Sequence, residues 1–292
     1  MKKIIPTLLL FISSITPILA STPSGVISTD TIKVVSYNIW NGFTESEDKR
    51  ELFVEYMKGL SPDVVGYQEL CGFTQEKLSA LAKEIGHDYA IIHKENGYPV
   101  GISSNQPIEL IEKRMEGYGH GMLHAKTYGL DMIVTHLNPH SVLIRRKEAR
   151  NITNYLAQKN ISTKVIVMGD LNDHSPSDAD QLQLQELTNP EQTRGGVSDD
   201  NTEYSVISTF ISYPLMDICQ KYVAPQLRET FPTLVFFKTD KERKTRYPNR
   251  MDFILVSLDL EAQIVDAAIL NRGQTDYISD HYPISMDIVV TK

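Results

Sequence analysis

Short runs of apolar residues recur along most of the chain, and several of them read as nearly continuous valine, isoleucine and methionine. Runs of this length and composition are typical of β-strands that are buried on both faces. They extend from residue 32 almost to the end of the chain. The pattern predicts strands over Ile32–Tyr37, Val64–Tyr67, Tyr89–Ile92, Val100–Ser103, Gly121–Lys126, Met132–His136, Lys164–Met168, Met251–Val256, Gln263–Ile269 and Ile284–Val290.

Apolar residues at helical spacing lie between some of these strands. One helix is predicted after the capping-box sequence Thr44–Glu47, and others over Gln75–Ile85 and Arg145–Gln158. Ser175–Asp178 has proline at the first position of a further helix. Strands outnumber helices, and the helices concentrate in the first two-thirds of the chain. We therefore expect a layered α/β sandwich rather than a doubly wound sheet or a barrel.

The first twenty residues resemble a secretory signal peptide. Two lysines precede an apolar run, Ile4–Leu19, and the small residue Ala20 offers a cleavage site. The alternative, a membrane anchor, is disfavoured because the run is short, is interrupted by prolines and lacks stop-transfer charges. We expect a signal peptide over residues 1–20, a flexible lead over 21–31 and one domain over 32–292. The mature chain should be secreted or periplasmic, without an integral membrane segment.

Charge and cysteine content narrow the possible functions and compartments only slightly. The formal net charge is −8, which does not favour a general nucleic-acid binder. The segment Lys238–Arg250 is nonetheless basic, and we consider both a solvated hairpin and a grip on an anionic substrate; Asn189–Tyr204 is a polar loop. Cys71 and Cys219 could form a disulfide or remain buried thiols, and neither lies in a metal-binding spacing.

Polar residues occur where the predicted strands begin or end. Any one of them alone is more typical of a residue that satisfies the backbone of a turn. Their co-occurrence is the informative feature, because carboxylates, amides and imidazoles together form the set that phosphoryl transfer requires. The residues are Asn38, Glu69, His136, Asp170, Asn172, Asp252, Asp280 and His281.

The chemistry of phosphate esters explains why this set is suitable. A phosphodiester is anionic and repels hydroxide, so its hydrolysis needs charge neutralisation and an oriented water. Mg²⁺ takes oxygen ligands such as carboxylates and amide oxygens and keeps several waters. Imidazoles and amides can hold the phosphate oxygens. The sequence has no clustered Cys/His pattern of structural zinc, no Gly-x-Ser-x-Gly elbow and no P-loop.

Six short motifs, in order along the chain, resemble those of the endonuclease/exonuclease/phosphatase superfamily, which includes DNase I-like nucleases, sphingomyelinases and inositol polyphosphate 5-phosphatases. The resemblance extends from about Ile32 to the C-terminus. It implies a DNase I-like, four-layered α/β sandwich of two packed, mainly antiparallel sheets flanked by helices. The motifs are Ser36–Trp40, Gln68–Leu70, Thr135–Leu137, Gly169–Asn172, Arg250–Phe253 and Ser279–Pro283.

The resemblance also implies roles for the motif residues. Glu69 is expected to be the main metal ligand, with Asn38 nearby and Asp280 completing the site. The ion is expected to be Mg²⁺, with Mn²⁺ and Ca²⁺ as the other candidates. Five residues are expected to be catalytic. His281 should act as the general base or as a partner of the phosphate, and Asp252 should orient His281. Asp170 should orient the water or contact a second metal, Asn172 should hold a phosphate oxygen, and His136 should contact the phosphate or protonate the leaving group.

Further residues are candidates for weaker reasons. His120, His140 and Arg250 are predicted to bind substrate. Trp40 is predicted to pack rather than to stack on a base. Arg145, Arg146 and Glu148 are interpreted as a structural surface cluster on a helix.

The sequence leaves three classes of substrate open: a phosphodiester or monoester of a small or lipid-derived molecule, a nucleic acid, and a sphingomyelin-type lipid. The negative net charge favours the ester of a small or lipid-derived molecule. A membrane-binding hairpin is disfavoured because its candidate, Leu234–Phe237, reads more like a core strand. A non-catalytic binding protein on the same fold ranks low, because no motif residue is replaced. No stable protein partner is implied.

Overall fold

A computed structural model describes residues 29–188, 193–194, 203–239, 241–242 and 246–291 of the chain. The predicted signal peptide and residues 21–28 of the predicted lead lie outside these residues. So do most of the polar loop 189–204 and residues 240 and 243–245 of the basic segment. Among the described residues, no helix combines the length and the apolar character needed to cross a bilayer.

The described residues form fourteen strands and seven α-helices. The strands are β1 (Thr29–Asn38), β2 (Val64–Gln68), β3 (Tyr89–Ile92), β4 (Gly101–Ser104), β5 (Glu109–Arg114), β6 (Met122–Thr127), β7 (Leu130–His136), β8 (Val165–Asp170), β9 (Thr193–Arg194), β10 (Leu215–Asp217), β11 (Arg246–Tyr247), β12 (Asp252–Ser257), β13 (Ile264–Ile269) and β14 (Ile284–Thr291). The helices are α1 (Trp40–Phe43), α2 (Glu47–Leu60), α3 (Gln75–Glu84), α4 (Val142–Gln158), α5 (Ala179–Thr188), α6 (Ser205–Ser212) and α7 (Ile218–Tyr222).

Two mixed sheets of six strands form the framework. Sheet 1 has the order β13-β14-β1-β2-β4-β3, and sheet 2 has the order β10-β12-β8-β7-β6-β5. The parallel pairs are β1 with β2 and β7 with β8, and all other pairs within these sheets are antiparallel. The strands β9 and β11 form a small additional parallel pair. The predicted architecture of two mainly antiparallel sheets is therefore confirmed.

Three apolar clusters hold the layers together. The largest lies between the two sheets, where Val34 of β1 and Met168 of β8 belong to the same buried cluster. A second cluster packs α4 and α6 onto the outer face of sheet 2, and a third packs α2 and α3 onto the outer face of sheet 1. Helices, sheet, sheet and helices thus form four layers, as predicted. Burial of this apolar surface is the main stabilising contribution, at about 25 cal/mol per Å².

Every predicted strand is present, with ends shifted by a few residues, and local signals fixed several helix starts. Ser46 is the N-cap of α2 and accepts a hydrogen bond from the backbone N–H of Lys49. Ser175 caps a 3₁₀ turn that begins at Pro176. The strand β1 begins at Thr29, so the last three residues of the predicted lead belong to the sheet.

Some elements differ from the prediction. The edge strands β5 and β10, the short strands β9 and β11 and the helices α1, α6 and α7 were not predicted; α5 continues the turn that Ser175 and Pro176 predicted as a helix start. Leu234–Phe236 forms a 3₁₀ turn, half-buried, so the prediction of a core strand there was wrong. Both cysteines are free, with Cys71 half-buried and Cys219 buried.

Candidate active site

Three of the predicted site residues lie side by side at one edge of sheet 2. His136 ends β7 opposite Asp170, which ends β8, and Asp170 in turn lies opposite Asp252, which begins β12. The strand β8 is parallel to β7 and antiparallel to β12, so these three strand ends meet at the same edge. The register therefore places an imidazole and two carboxylates in one row.

Sheet 1 supplies the facing residues. Asn38 ends β1 opposite Gln68, and Glu69 follows directly. The amide nitrogen of Asn38 donates hydrogen bonds to Glu69 Oε1 and to Asp170 Oδ2, each over 3.1 Å. Its oxygen accepts a hydrogen bond from the backbone N–H of Trp40. Asn38 thus joins the two sheets and orients two carboxylates; in this orientation it does not present its oxygen as the predicted metal ligand.

Glu69 occupies a left-handed backbone conformation, with φ of 60°. Non-glycine residues in this region are uncommon and concentrate at functional sites. The conformation turns the chain out of β2, and Glu69 Oε2 accepts a hydrogen bond from the backbone N–H of Asn41 over 2.8 Å. The carboxylate is therefore held at the strand end, half-exposed, beside the buried row of sheet 2.

Asp170 lies at the centre of the cluster. Its Oδ2 atom is 3.5 Å from His136 Nε2 and 3.7 Å from His281 Nε2. Its Oδ1 atom accepts a hydrogen bond from the backbone N–H of Asn172 over 2.9 Å. Burial and the neighbouring carboxylate of Asp252 raise the pKa of Asp170 well above its ordinary value.

His281 forms an ion pair with Asp252. Its Nδ1 atom lies 2.8 Å from Asp252 Oδ2, and its Nε2 atom faces Asp170 and Asp280. Burial alone would lower the pKa of His281, but the carboxylates of Asp252, Asp170 and Asp280 outweigh it and raise that pKa well above the usual value. The imidazolium form is therefore favoured, as expected for a histidine paired with carboxylates. The ring of Phe231 packs against the imidazole, with 4.9 Å between centroids.

His136 and His120 form a second pair in the site, which consists of two neutral imidazoles. Their ring centroids are 4.5 Å apart, and the ring of Tyr98 lies 5.0 Å from that of His120. Burial and nearby positive charge lower the pKa of His136 well below its usual value and that of His120 to about 4. His120 therefore does reach the site, while His140 is an exposed residue.

The cluster has an excess of negative charge that fits a divalent cation. Asp280 is buried, and burial together with the charges of Glu69 and Asp252 raises its pKa to about 7. Side-chain ligand atoms lie within 4.8 Å of one another in two groups, Glu69 with His136 and Asp170, and Asp170 with Asp252 and His281. Carboxylate oxygens are ligands of Mg²⁺ and Mn²⁺. The donor set therefore fits such an ion.

Asn172 has a local structural role besides the predicted one. Its backbone is left-handed, with φ of 50°, and its N–H holds Asp170. Its side-chain amide donates to the carbonyl of Leu137 over 3.0 Å. Asn172 thus ties the ends of β7 and β8 together beside the carboxylate.

Arg250 does not fit the predicted role in substrate binding. It is buried, and its guanidinium donates to Asp217 Oδ2 over 2.6 Å and to Asp178 Oδ2 over 2.7 Å. The three charged side chains are buried, so Arg250 instead forms internal ion pairs in the chain segment that leads into Asp252.

The interpretation of Arg145 and Glu148 as surface residues was also wrong, because both are completely buried. The one available signal was their spacing: a positive and a negative residue three apart on the helix face that otherwise carries Ala149 and Ile152. Trp40 packs as predicted, with its ring 6.4 Å from that of Phe236.

A family model supports the assignment that the motifs suggested. The model described as the Endonuclease/Exonuclease/phosphatase family matches residues 35–281, so the chain belongs to this family. The matched region contains all of the site residues discussed above. No curated protein matches the chain.

Solved structures of similar fold agree with this assignment. An AP endonuclease from Archaeoglobus fulgidus is 20% identical with a TM-score of 0.63, and the match covers 88% of this chain and 99% of that chain. A variant of the 3′ phosphatase NExo from Neisseria, bound to a product DNA hairpin, is 20% identical with a TM-score of 0.64 and the same coverage. An endonuclease/exonuclease/phosphatase family protein from Bacteroides thetaiotaomicron is 17% identical with a TM-score of 0.58, covering 90% and 99%. At these identities the similarity shows a shared fold.

Proposed function

We propose that this chain is a divalent-metal-dependent hydrolase of phosphate esters that acts outside the cytoplasm. The central position of Asp170 carries the proposal, because one carboxylate is shared between a cationic imidazole, a neutral imidazole and the metal-ligand side of the site. The signal peptide expected over residues 1–20 supports export to the periplasm or the medium.

Glu69 and Asp280, together with Asp170, would hold the cation, either Mg²⁺ or Mn²⁺. Bound there, the ion would neutralise charge on the phosphoryl oxygens and orient the ester. Asn38 contributes by fixing Glu69 and Asp170 relative to each other across the two sheets.

The pair of Asp252 and His281 would stabilise the negative charge that develops on the phosphoryl group. Because the imidazolium form is favoured, His281 Nε2 carries a proton and can donate a hydrogen bond to a phosphoryl oxygen. It is therefore better suited to this role than to that of a general base. Asp170, whose Oδ2 atom lies near Nε2 of both His136 and His281, would orient the attacking water.

His136 would contact the phosphoryl group as a neutral donor. A histidine with a pKa well below the usual value is a neutral imidazole at neutral pH: its single N–H can donate a hydrogen bond, but it lacks the acidic second proton of an imidazolium, so protonation of the leaving group is disfavoured for it. Its Nε2 atom faces Asp170 at 3.5 Å, which places the ring at the edge of the same small volume.

The substrate we favour is an ester of a small or lipid-derived alcohol. The net charge of −8 disfavours long polyanions, and Arg250 of the basic segment is engaged in buried ion pairs. A nuclease is the second candidate, because an AP endonuclease and a DNA-bound 3′ phosphatase are among the similar structures. A non-catalytic binding protein ranks last, since each motif residue is retained.

A substrate panel tests the proposal. The purified chain should be assayed with and without EDTA on bis-p-nitrophenyl phosphate, p-nitrophenyl phosphate, inositol phosphates, sphingomyelin, RNA, plasmid DNA and a DNA oligonucleotide with a 3′ phosphate. We expect EDTA-sensitive hydrolysis, fastest on a small or lipid-derived ester. Preferential cleavage of DNA or RNA would assign the second function, and hydrolysis that resists EDTA would contradict the metal assignment.

A further inference from the structure

Two buried charged residues of α4 lie directly behind the catalytic loops. Arg145 and Glu148 occupy successive turns at the start of the helix, and neither side chain is accessible to solvent. Burial of charge in a protein is costly unless the charge is paired and hydrogen-bonded, and an apolar residue of similar size often packs as well or better. The two charges therefore require an explanation beyond the packing of α4 on sheet 2.

Glu148 connects two loops that are distant in sequence. Its Oε1 atom accepts a hydrogen bond from the backbone N–H of Gly119 over 2.6 Å, and its Oε2 atom accepts one from the backbone N–H of Asn138 over 2.8 Å. Gly119 immediately precedes His120, and Asn138 lies two residues after His136. One carboxylate thus fixes the chain next to both members of the neutral imidazole pair.

Arg145 extends the same network to the loop after β8. Its Nε atom donates to Asp173 Oδ2 over 2.8 Å, and one of its terminal nitrogens donates to the carbonyl of Asn138 over 3.1 Å. Asp173 follows Asn172, whose backbone N–H holds Asp170. The first two turns of α4 therefore connect to three loops that carry site residues.

The imidazole pair has few constraints of its own. Within the described part of the chain, His120 Nε2 and His136 Nδ1 are buried and make no hydrogen bond. The ring of His120 is held by packing, between the rings of Tyr98 and His136. Its position therefore depends on the backbone of residues 119 and 120, which Glu148 anchors.

From these contacts we infer that Glu148 is a positioning residue for phosphoryl hydrolysis, which sets the stacking of His120 on His136 through the N–H groups of Gly119 and Asn138. This inference rests on the proposed function. An ionised carboxylate is suited to the task because both of its partners are N–H donors. Glutamine would place an NH₂ group against one of these donors and displace one loop.

The test compares Glu148→Gln with Arg146→Ala, a matched control one position from Arg145 on the same helix. Arg146 pairs with Glu203 at the protein surface and does not reach the catalytic loops through that pair. The readouts are kcat and KM on bis-p-nitrophenyl phosphate, Mn²⁺ affinity by calorimetry, and ring ¹⁵N signals of the histidines. Glu148→Asp, which keeps the charge on a shorter side chain, serves as the conservative variant and as a second route if Glu148→Gln does not fold.

We expect Glu148→Gln to lower kcat by roughly 10- to 100-fold, because small displacements of positioned groups have effects of this size. KM and Mn²⁺ affinity should change less than about twofold, the ring signals of His120 and His136 should shift, and Glu148→Asp should recover part of kcat. Arg146→Ala should retain wild-type kcat and wild-type signals.

Unchanged kcat in a folded Glu148→Gln protein would overturn the inference, as would a loss of activity that only follows the folded fraction. If wild type hydrolyses no phosphate ester, the proposed function fails by itself. The histidine signals then still decide whether Glu148 sets the pair, and unshifted signals in both variants would overturn that claim as well.

Discussion

The Nδ1 atom of His281 lies 2.8 Å from Oδ2 of Asp252, and the pair is buried. The Oδ1 atom of Asp252 makes no hydrogen bond to the described residues, so this carboxylate is directed chiefly at the imidazole. In a buried site, such a pair keeps a proton on the ring and aims Nε2 at the space between Asp170 and Asp280. The proposed stabilisation of the phosphoryl group depends on that proton.

Asp252→Asn should therefore lower kcat by roughly 10²- to 10⁴-fold, the range of contributions from positioned proton donors. Mn²⁺ affinity should change little, because Asp252 is directed at His281. The matched control is Asp131→Asn, which breaks another histidine–aspartate contact, with His124 at 2.9 Å, outside the site. Steady-state kinetics on bis-p-nitrophenyl phosphate give the answer; equal kcat values in the two variants would rule out the role of Asp252.

Gly169 should tolerate no side chain. Its φ is 149°, and a Cβ atom built there would lie 1.9 Å from the carbonyl oxygen of Thr135 on the neighbouring strand. We expect Gly169→Ala to destabilise the fold by about 3 kcal/mol or more, because the clash involves backbone on both strands and strained backbone adds to it. Urea unfolding measures this.

The control for that substitution is Gly59→Ala in α2, where an added Cβ meets nothing within 4 Å. It should stabilise the protein by about 0.5–1 kcal/mol, because alanine favours helix over glycine. Similar stabilities of the two variants would show that β7 and β8 do not approach as closely as described.

Arg250 should prove to be a stability residue. Arg250→Ala removes the ion-pair partner of the buried Asp217 and leaves Asp178 to pair with Arg228; loss of one partner of a buried pair typically costs about 3–5 kcal/mol. The control Arg272→Ala removes a more exposed pair with Glu229, for which about 0–1 kcal/mol is expected. Unfolding by urea and KM of the folded protein separate the two roles. A raised KM at unchanged stability would restore the substrate-binding interpretation.

The contribution of His93 to stability should fall between pH 7 and pH 5, whereas the raised pKa values of Asp170 and Asp280 act in the opposite direction. Burial lowers the pKa of this histidine to about 4. Between about 6.5 and 4 the unfolded chain takes up a proton that the folded chain does not, so stability is lost as the pH falls through this window. His93 alone should contribute about 1–2 kcal/mol at pH 5 relative to pH 7.

His93→Gln should remove this contribution, so the variant should lose less stability than wild type on going from pH 7 to pH 5; the amide can still donate to the carbonyl of Arg114 that His93 Nε2 contacts at 3.0 Å. A pH dependence should remain, because burial also lowers the pKa of His87 and of His120. Free energies of unfolding at pH 5 and pH 7 measure the effect. An identical slope in wild type and variant would contradict the assignment to His93.

The sequence was sufficient to predict which residues lie close together because of how the strands run. Asn38 and Glu69 lie at the carboxyl ends of the parallel strands β1 and β2, and His136 and Asp170 lie at those of the parallel strands β7 and β8. The carboxyl ends of parallel strands meet at one edge of the sheet. Asp252 begins an antiparallel strand, so its amino end meets the same edge. Apolar runs buried on both faces gave a clear signal for these central strands.

Other features could not be predicted because their cause lies in tertiary packing. Glu148 and Arg145 look like ordinary surface charges until the loops around Gly119 and Asn138 are placed over them. The edge strand β5 is largely exposed and therefore lacks an apolar run. The orientation of the Asn38 amide follows from its two carboxylate neighbours, one of which belongs to the other sheet.

The most direct test of the account is metal-restored hydrolysis by Glu69→Ala. Wild type and variant should be stripped with EDTA, supplied with Mn²⁺ and assayed on bis-p-nitrophenyl phosphate, with Glu84→Ala as a control carboxylate on the surface of α3. We predict that Mn²⁺ restores turnover in wild type and in Glu84→Ala, and that folded Glu69→Ala stays at the level of the stripped enzyme. Full restoration in Glu69→Ala would contradict the claim that this carboxylate holds the catalytic ion.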